Sequence, residues 1–105
     1  MYHLEISKMY VGVILYRFRP DRIDDAIKAW RDMVIPEARK HQGFIRAEMF
    51  ADRETGRGMD IGYWQTRENA AHFEESGAYG FLINELSDYL EVPPQRMQFE
   101  KVLEV

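Results

Sequence analysis

The sequence predicts an α+β domain, with four strands in one sheet and the helices on one side of it. Three observations carry that prediction. Met9 to Phe18 is rich in β-branched and aromatic residues, apolar at odd and even positions alike. Two further strand-like runs, Phe44 to Ala51 and Met59 to Trp64, are joined by a short polar, glycine-bearing link. Apolar stripes at helical spacing follow the first strand and the third.

Side chains alternate between the faces of a strand, so Met9 to Phe18 reads as a strand buried on both faces. Pro20-Asp21 stops it, and Asp21 is expected to cap a helix whose first turn carries Asp24 and Asp25, where acids meet the positive end of the dipole. Ile23, Ala26, Ile27, Trp30 and Val34 form one apolar stripe. Pro36 cannot donate to residue 32, so a kink is expected near Val34 to Ile35, with helix continuing to about His41. Gly43 ends it.

In Phe44 to Ala51, Ile45, Ala47 and Met49 share one face while Arg46 and Glu48 occupy the other, the pattern of an edge strand. Asp52 to Gly58 then reads as a hairpin connection, with Gly56 and Gly58 as turn glycines. Thr66 is placed to cap a helix over Arg67 to Glu75, which Ser76-Gly77 breaks. Tyr79, Leu82, Ile83, Leu86, Tyr89 and Leu90 mark another helix, ended by Pro93-Pro94. Gln95 to Val105 alternates, with Met97, Phe99, Leu103 and Val105 on one side, as a last strand.

The order βαββαβ is the split βαβ arrangement of ferredoxin-like folds, with the first and third strands central. Its helices cover one sheet face. The other apolar face of the first strand therefore requires a partner, and a homodimer joined sheet to sheet supplies it.

A chain of 105 residues forms one domain spanning 1–105, long enough to bury a core. With 14 basic against 18 acidic residues and no concentrated positive face, nucleic acid is not an expected partner. The absence of cysteine excludes disulfides and thiolate chemistry. Met1 to Lys8 has no apolar leader core, and Met9 to Leu15 falls far short of the roughly 20 residues of a membrane helix. No membrane association and a cytoplasmic residence are expected. His3, His41 and His72 lack ligand spacing, so no metal is expected, and nothing resembles a phosphate loop or a nucleophile elbow.

The stretch Ile61 to Phe73 carries a strand ending in Trp64 that turns at once into a helix, leaving the indole where a pocket can open. Asp60, Gly62 and Trp64 share a strand face, so a carboxyl, a gap without side chain and an indole can line one cleft. Two readings of Asp60 stand. It is either a pocket carboxyl, its pKa raised by apolar surroundings, or a hairpin-end acceptor bonded to backbone or to Arg57. Trp64 is likewise either pocket wall or core filler. Tyr10, Tyr16, Tyr63 and Tyr79 can donate to a substrate oxygen, although strand and helix packing explains them first.

Three local signatures, Pro36 to Phe44, Tyr63 to Glu68, and Ala71-His72-Phe73 with Tyr79 beyond, make the chain resemble the antibiotic biosynthesis monooxygenase-like domains of the dimeric α+β barrel superfamily. The resemblance covers nearly the whole chain. It implies a homodimer whose two sheets form a barrel, with a small apolar pocket between sheet and helices in each subunit. Relatives include cofactor-independent oxygenases of anthrone- or quinol-like aromatics, in which a Trp matching Trp64 and an Asn matching Asp60 serve the reaction. Haem-degrading relatives use residues that here match Ile14, Phe73 and Ile83, none of which fits that task.

The expectation is thus a cofactor-independent monooxygenase acting on a small hydroxylated aromatic, with Trp64 and Asp60 catalytic and Tyr63, His72, Phe73 and Tyr79 contacting the substrate. No cofactor is expected. The alternative is a non-enzymatic ligand-binding or structural dimer of the same fold.

Overall fold

Strand β1 (Tyr10–Arg17) lies between β3 (Arg57–Trp64) and β4 (Gln95–Glu100), with β2 (Phe44–Ala51) on the far side of β3, giving a four-stranded sheet of order β2-β3-β1-β4. This is a computed structural model, and it describes residues 9–105. The expectations attached to Met1 to Lys8, including His3, lie outside those residues. All neighbouring strands are antiparallel. The first and third strands are central, as the split βαβ order requires.

The helical segments are α1 (Ile23–Ala29), a π turn (Trp30–Val34), α2 (Ile35–Arg39), α3 (Arg67–Glu75) and α4 (Ala78–Leu86). Their apolar sides meet the sheet in one core, where Ile23, Ala26, Val34, Phe73 and Leu86 pack with Tyr16, Phe18 and Trp64. Phe18 and Leu86 have no exposed surface.

Several boundaries differ from the sequence expectation for local reasons. Asp21 does not cap α1; it sits inside a 3-10 turn, Pro20–Arg22, closed by the Arg22 N–H on the Arg19 carbonyl at 2.8 Å. The expected kink at Val34 to Ile35 is instead the π turn, in which the Ile35 N–H reaches back five residues to the Trp30 carbonyl. That widening delivers Pro36 to the start of α2, where no donor is required of it. A bulge between Phe44 and Arg46 removes Ile45 from the inward face and leaves it exposed.

β3 begins at Arg57, so Gly58 is a strand residue paired with Tyr16 and Ala51. Gly56 is the turn glycine, at φ 80°, and its carbonyl accepts from the Phe18 N–H at 2.7 Å. α4 stops at Leu86, ahead of Pro93-Pro94, because the chain beyond it returns to β1: Leu90 bridges Phe18 and the Glu91 N–H bonds the Arg17 carbonyl at 2.8 Å. β4 ends at Glu100, opposite Tyr10, so Leu103 and Val105 lie beyond its ladder and are exposed. The Thr66 cap forms as expected, its hydroxyl accepting from the Asn69 N–H at 3.0 Å, a bond worth about 1 kcal/mol.

The second sheet face is the apolar one anticipated for β1. Val11 stands between Tyr63 and Phe99, and Val13 between Ile61 and Met97. Among the described residues no helix packs on this face, and Phe50 and Phe99 are half exposed there.

Candidate active site

The inward residues of the sheet form three rows across the strands. Trp64 lies between Phe44 and Tyr10 in the first; Gly62 lies between Ala47 and Gly12 in the second; Asp60 lies between Met49 and Ile14 in the third. On these three strands the middle row carries no side chain larger than the Ala47 methyl, so the helices do not close onto the sheet there. A cavity of about 80 Å³ remains. It is walled by Asp60, Trp64, Phe73, Tyr79 and Leu82, and Arg96, the exposed residue among those lining it, marks its open side.

Asp60 is 7 % exposed. Its Oδ2 accepts two hydrogen bonds, a very short one from the Tyr16 hydroxyl and one of 3.1 Å from the Trp30 indole N–H. Burial raises the carboxyl to about 6, against the opposing pull of those two donors. Burial also pushes the Tyr16 hydroxyl far above its ordinary value, with the neighbouring Asp60 charge adding to it. Tyr16 therefore stays a donor. Both donors occupy one oxygen, which leaves Oδ1 without a hydrogen-bond partner among the described residues, on a side chain that lines the cavity.

The hairpin-end reading of Asp60 is not what the structure holds: the residue is three positions inside β3 and bonds side chains from β1 and the π turn, not Arg57 or backbone. Trp64, 5 % exposed, meets Phe44 edge-on at 5.4 Å and Phe73 at 5.1 Å between ring centroids. It is core and cavity wall at once. Its indole nitrogen leans toward Gly62, 3.5 Å from where a Cβ there would stand. Among the described residues no acceptor takes the Trp64 N–H, and Trp64 lines the cavity.

Of the expected substrate contacts, Phe73 and Tyr79 line the cavity. Tyr63 and His72 do not. Alternation places Tyr63 on the opposite sheet face, where its hydroxyl donates to Glu48 at 3.0 Å and Arg46 stacks over its ring. His72 is exposed on α3, and His41 lies between the helices, bonded to Glu37 at 3.3 Å and edge-on to Phe73. Among the described residues no three His, Cys, Asp or Glu side chains stand together as a metal site, and no helix is long and apolar enough to cross a membrane.

Two site residues escaped the sequence reading. The sequence places Trp30 only on an apolar stripe, and it offers Tyr16 as a donor to a substrate oxygen rather than to Asp60. A signal existed in Trp30, because a core-facing indole requires an acceptor for its N–H and Asp60 is the buried acid available. At the open side, Glu74 accepts from Gln98 Nε2 at 2.6 Å and pairs with Arg96, whose guanidinium lies over the Tyr79 ring at 5.2 Å. This small network joins α3, α4 and β4.

The sequence model of a family described as antibiotic biosynthesis monooxygenase matches residues 9–81. No curated protein matches the chain. Among solved structures, a monooxygenase of Streptomyces coelicolor in complex with the ligand nanaomycin D superposes with a TM-score of 0.81 at 16% identity, covering 100% of this chain and 97% of that one. A conserved protein of Methanosarcina mazei gives 0.78 at 15% identity, with 96% and 99% covered. The cofactor-independent oxygenase SnoaB of Streptomyces nogalater gives 0.67 at 10% identity, with 88% and 91% covered. Identities this low speak for the fold alone.

Proposed function

The chain belongs to the antibiotic biosynthesis monooxygenase family, and on that premise we propose that it is a cofactor-independent monooxygenase of a small hydroxylated aromatic, quinol- or anthrone-like. The observation that carries the reading is that Asp60 and Trp64 line one apolar cavity, on β3 with Gly62 between them, while Asp60 Oδ1 and the Trp64 N–H have no hydrogen-bond partner among the described residues. Asp60 takes the acidic proton of the substrate, and the Trp64 N–H holds the oxyanion that results. The electron-rich anion then gives up an electron to dioxygen, and recombination forms a carbon–oxygen bond. For a phenol with a free ring C–H, the resulting hydroperoxide loses water. One oxygen atom stays as the quinone carbonyl, the other leaves with the two substrate hydrogens, and no external reductant is consumed.

A neighbour of the same fold binds nanaomycin D, which supports an aromatic occupant here. The family's asparagine is Asp60 in this chain, and a buried carboxyl raised to about 6 is a stronger base than an ordinary carboxylate. The test is oxygen uptake on a panel of quinols, naphthols and anthrones, using protein shown to be free of metal and flavin. One dioxygen consumed per substrate oxidised is expected. Ligand-induced thermal shifts without any uptake would instead mark a binding module.

The assembly we infer is a homodimer joined through the outer sheet face, with Val11, Val13, Ile61 and Phe99 buried between copies. Val13→Asp puts a charge at the centre of that face without touching the cavity. It is expected to give a monomer in sedimentation equilibrium at micromolar concentration, where the parent is a dimer. A parent chain that sediments as a monomer would end this reading.

A further inference from the structure

Gly12 and Gly62 stand opposite each other on the two central strands, and the backbone requires glycine at neither. The glycines at positive φ are Gly43, Gly56 and Gly77. Nor does packing demand it. Among the described residues, a Cβ placed on Gly12 meets no atom within 4 Å, and one on Gly62 meets only Trp64 Nε1, at 3.5 Å, an ordinary contact. Gly58, on the same strand as Gly62, is the contrasting case, because a Cβ there would collide with the Phe18 ring. Glycine inside a strand weakens it and leaves nothing to pack, so two paired glycines in the middle of a sheet, free of both constraints, need another reason.

That reason lies in the space they leave. Both line the cavity, and beside them lies the Trp64 N–H, a donor on a side chain only 5 % exposed that finds no acceptor among the described residues. We propose that the paired backbone of Gly12 and Gly62 is a floor on which a planar ring lies flat, and that these two positions set the size and flatness of the ligand. The inference rests on the cavity being the aromatic site described above. Peptide planes offer a flat surface a ring can approach at van der Waals distance, with its oxygen toward Trp64 or Asp60. A puckered ring of the same carbon skeleton stands off such a floor. Ala47 and Gln98, which flank the glycines in the same row, bound it at either end. The cavity is smaller than the roughly 150 Å³ that encloses a benzene ring, so a ring lies partly in the open side near Tyr79 and Arg96.

The experiment is calorimetric binding of 1-naphthol, and of its saturated counterpart decahydro-1-naphthol, to the parent protein, Gly12→Ala and Gly12→Val. Oxygen uptake and thermal unfolding are measured on the same samples. The expected result is 1-naphthol bound by the parent, about tenfold weaker in Gly12→Ala and about a hundredfold weaker in Gly12→Val, the scale of one or more methyl groups misplaced in a pocket. Tm should not fall, since the new atoms enter open space, and decahydro-1-naphthol should bind more weakly than 1-naphthol to the parent. Equal affinity of parent and variants for 1-naphthol overturns the floor. So does lost binding accompanied by a lowered Tm, which would return Gly12 to a packing role. Failure of the parent to bind 1-naphthol overturns the floor together with the aromatic site. Binding that follows the expected series without oxygen uptake removes the monooxygenase reading and leaves the floor standing.

Discussion

Asp60→Asn is expected to lower kcat/KM by about 10²- to 10⁴-fold, the usual contribution of a positioned base, and to abolish the rise of kcat/KM through a pKa of about 6. The asparagine oxygen can still accept from Tyr16 and Trp30, so the site keeps its shape and loses only the titrating group. Stability should respond in the opposite sense. The folded-state pKa of Asp60 lies above its ordinary 3.8, so the native chain holds this proton more tightly than the unfolded one. The contribution of Asp60 to stability is therefore greatest below about pH 4, falls as pH rises toward 6, and is constant above that. The fall is on the order of 3 kcal/mol. Asp60→Asn removes this slope and at pH 7 should be at least as stable as the parent. Thermal unfolding from pH 4 to 8 with paired oxygen-uptake profiles checks both. A parent-like pH profile in the variant would take Asp60 out of the chemistry. The other titratable and charged groups around the cavity, Tyr16, Tyr79, Glu74 and Arg96, are unchanged in it.

Phe18→Ala is expected to cost about 3–5 kcal/mol, the range for emptying a buried aromatic site. Phe18 is wholly buried, stacks on Tyr16 at 5.0 Å, and lies against Gly58. Its backbone also ties Gly56 and Leu90 to the end of β1. The void has nowhere to collapse, because β3 and the chain after α4 are both pinned to the same residue. Urea unfolding measures it. A loss below about 1 kcal/mol would mean that the core relaxes around the hole. Because Tyr16 loses its stacking partner, the variant should also show a shifted Asp60 pKa, visible by carboxyl NMR.

Element type was legible wherever periodicity was long. The doubly apolar β1 implied a central strand with a second apolar face, and the strand is central, with no helix on that face among the described residues. Thr66 was readable as a cap because its hydroxyl acts on a donor three residues away. Asp60, Gly62 and Trp64 were legible as sharing a face, since strand alternation is a local rule. Boundaries failed where a distant segment competed: α4 ends early for Leu90 to reach Phe18, and β4 ends where its ladder with β1 runs out.

By itself, then, the sequence determined which residues lie on which face of each element, because that depends on backbone period alone. Tertiary structure decided what those faces meet. Tyr16 and Trp30 come from different elements, β1 and the π turn, and converge on one oxygen of Asp60, and no local period encodes that meeting. The same holds for Tyr63 and His72, adjacent in sequence to Trp64 and Phe73 yet turned away from the cavity. The sheet pleat and the helix surface separate neighbours in the chain, while strand pairing brings Gly12 beside Gly62.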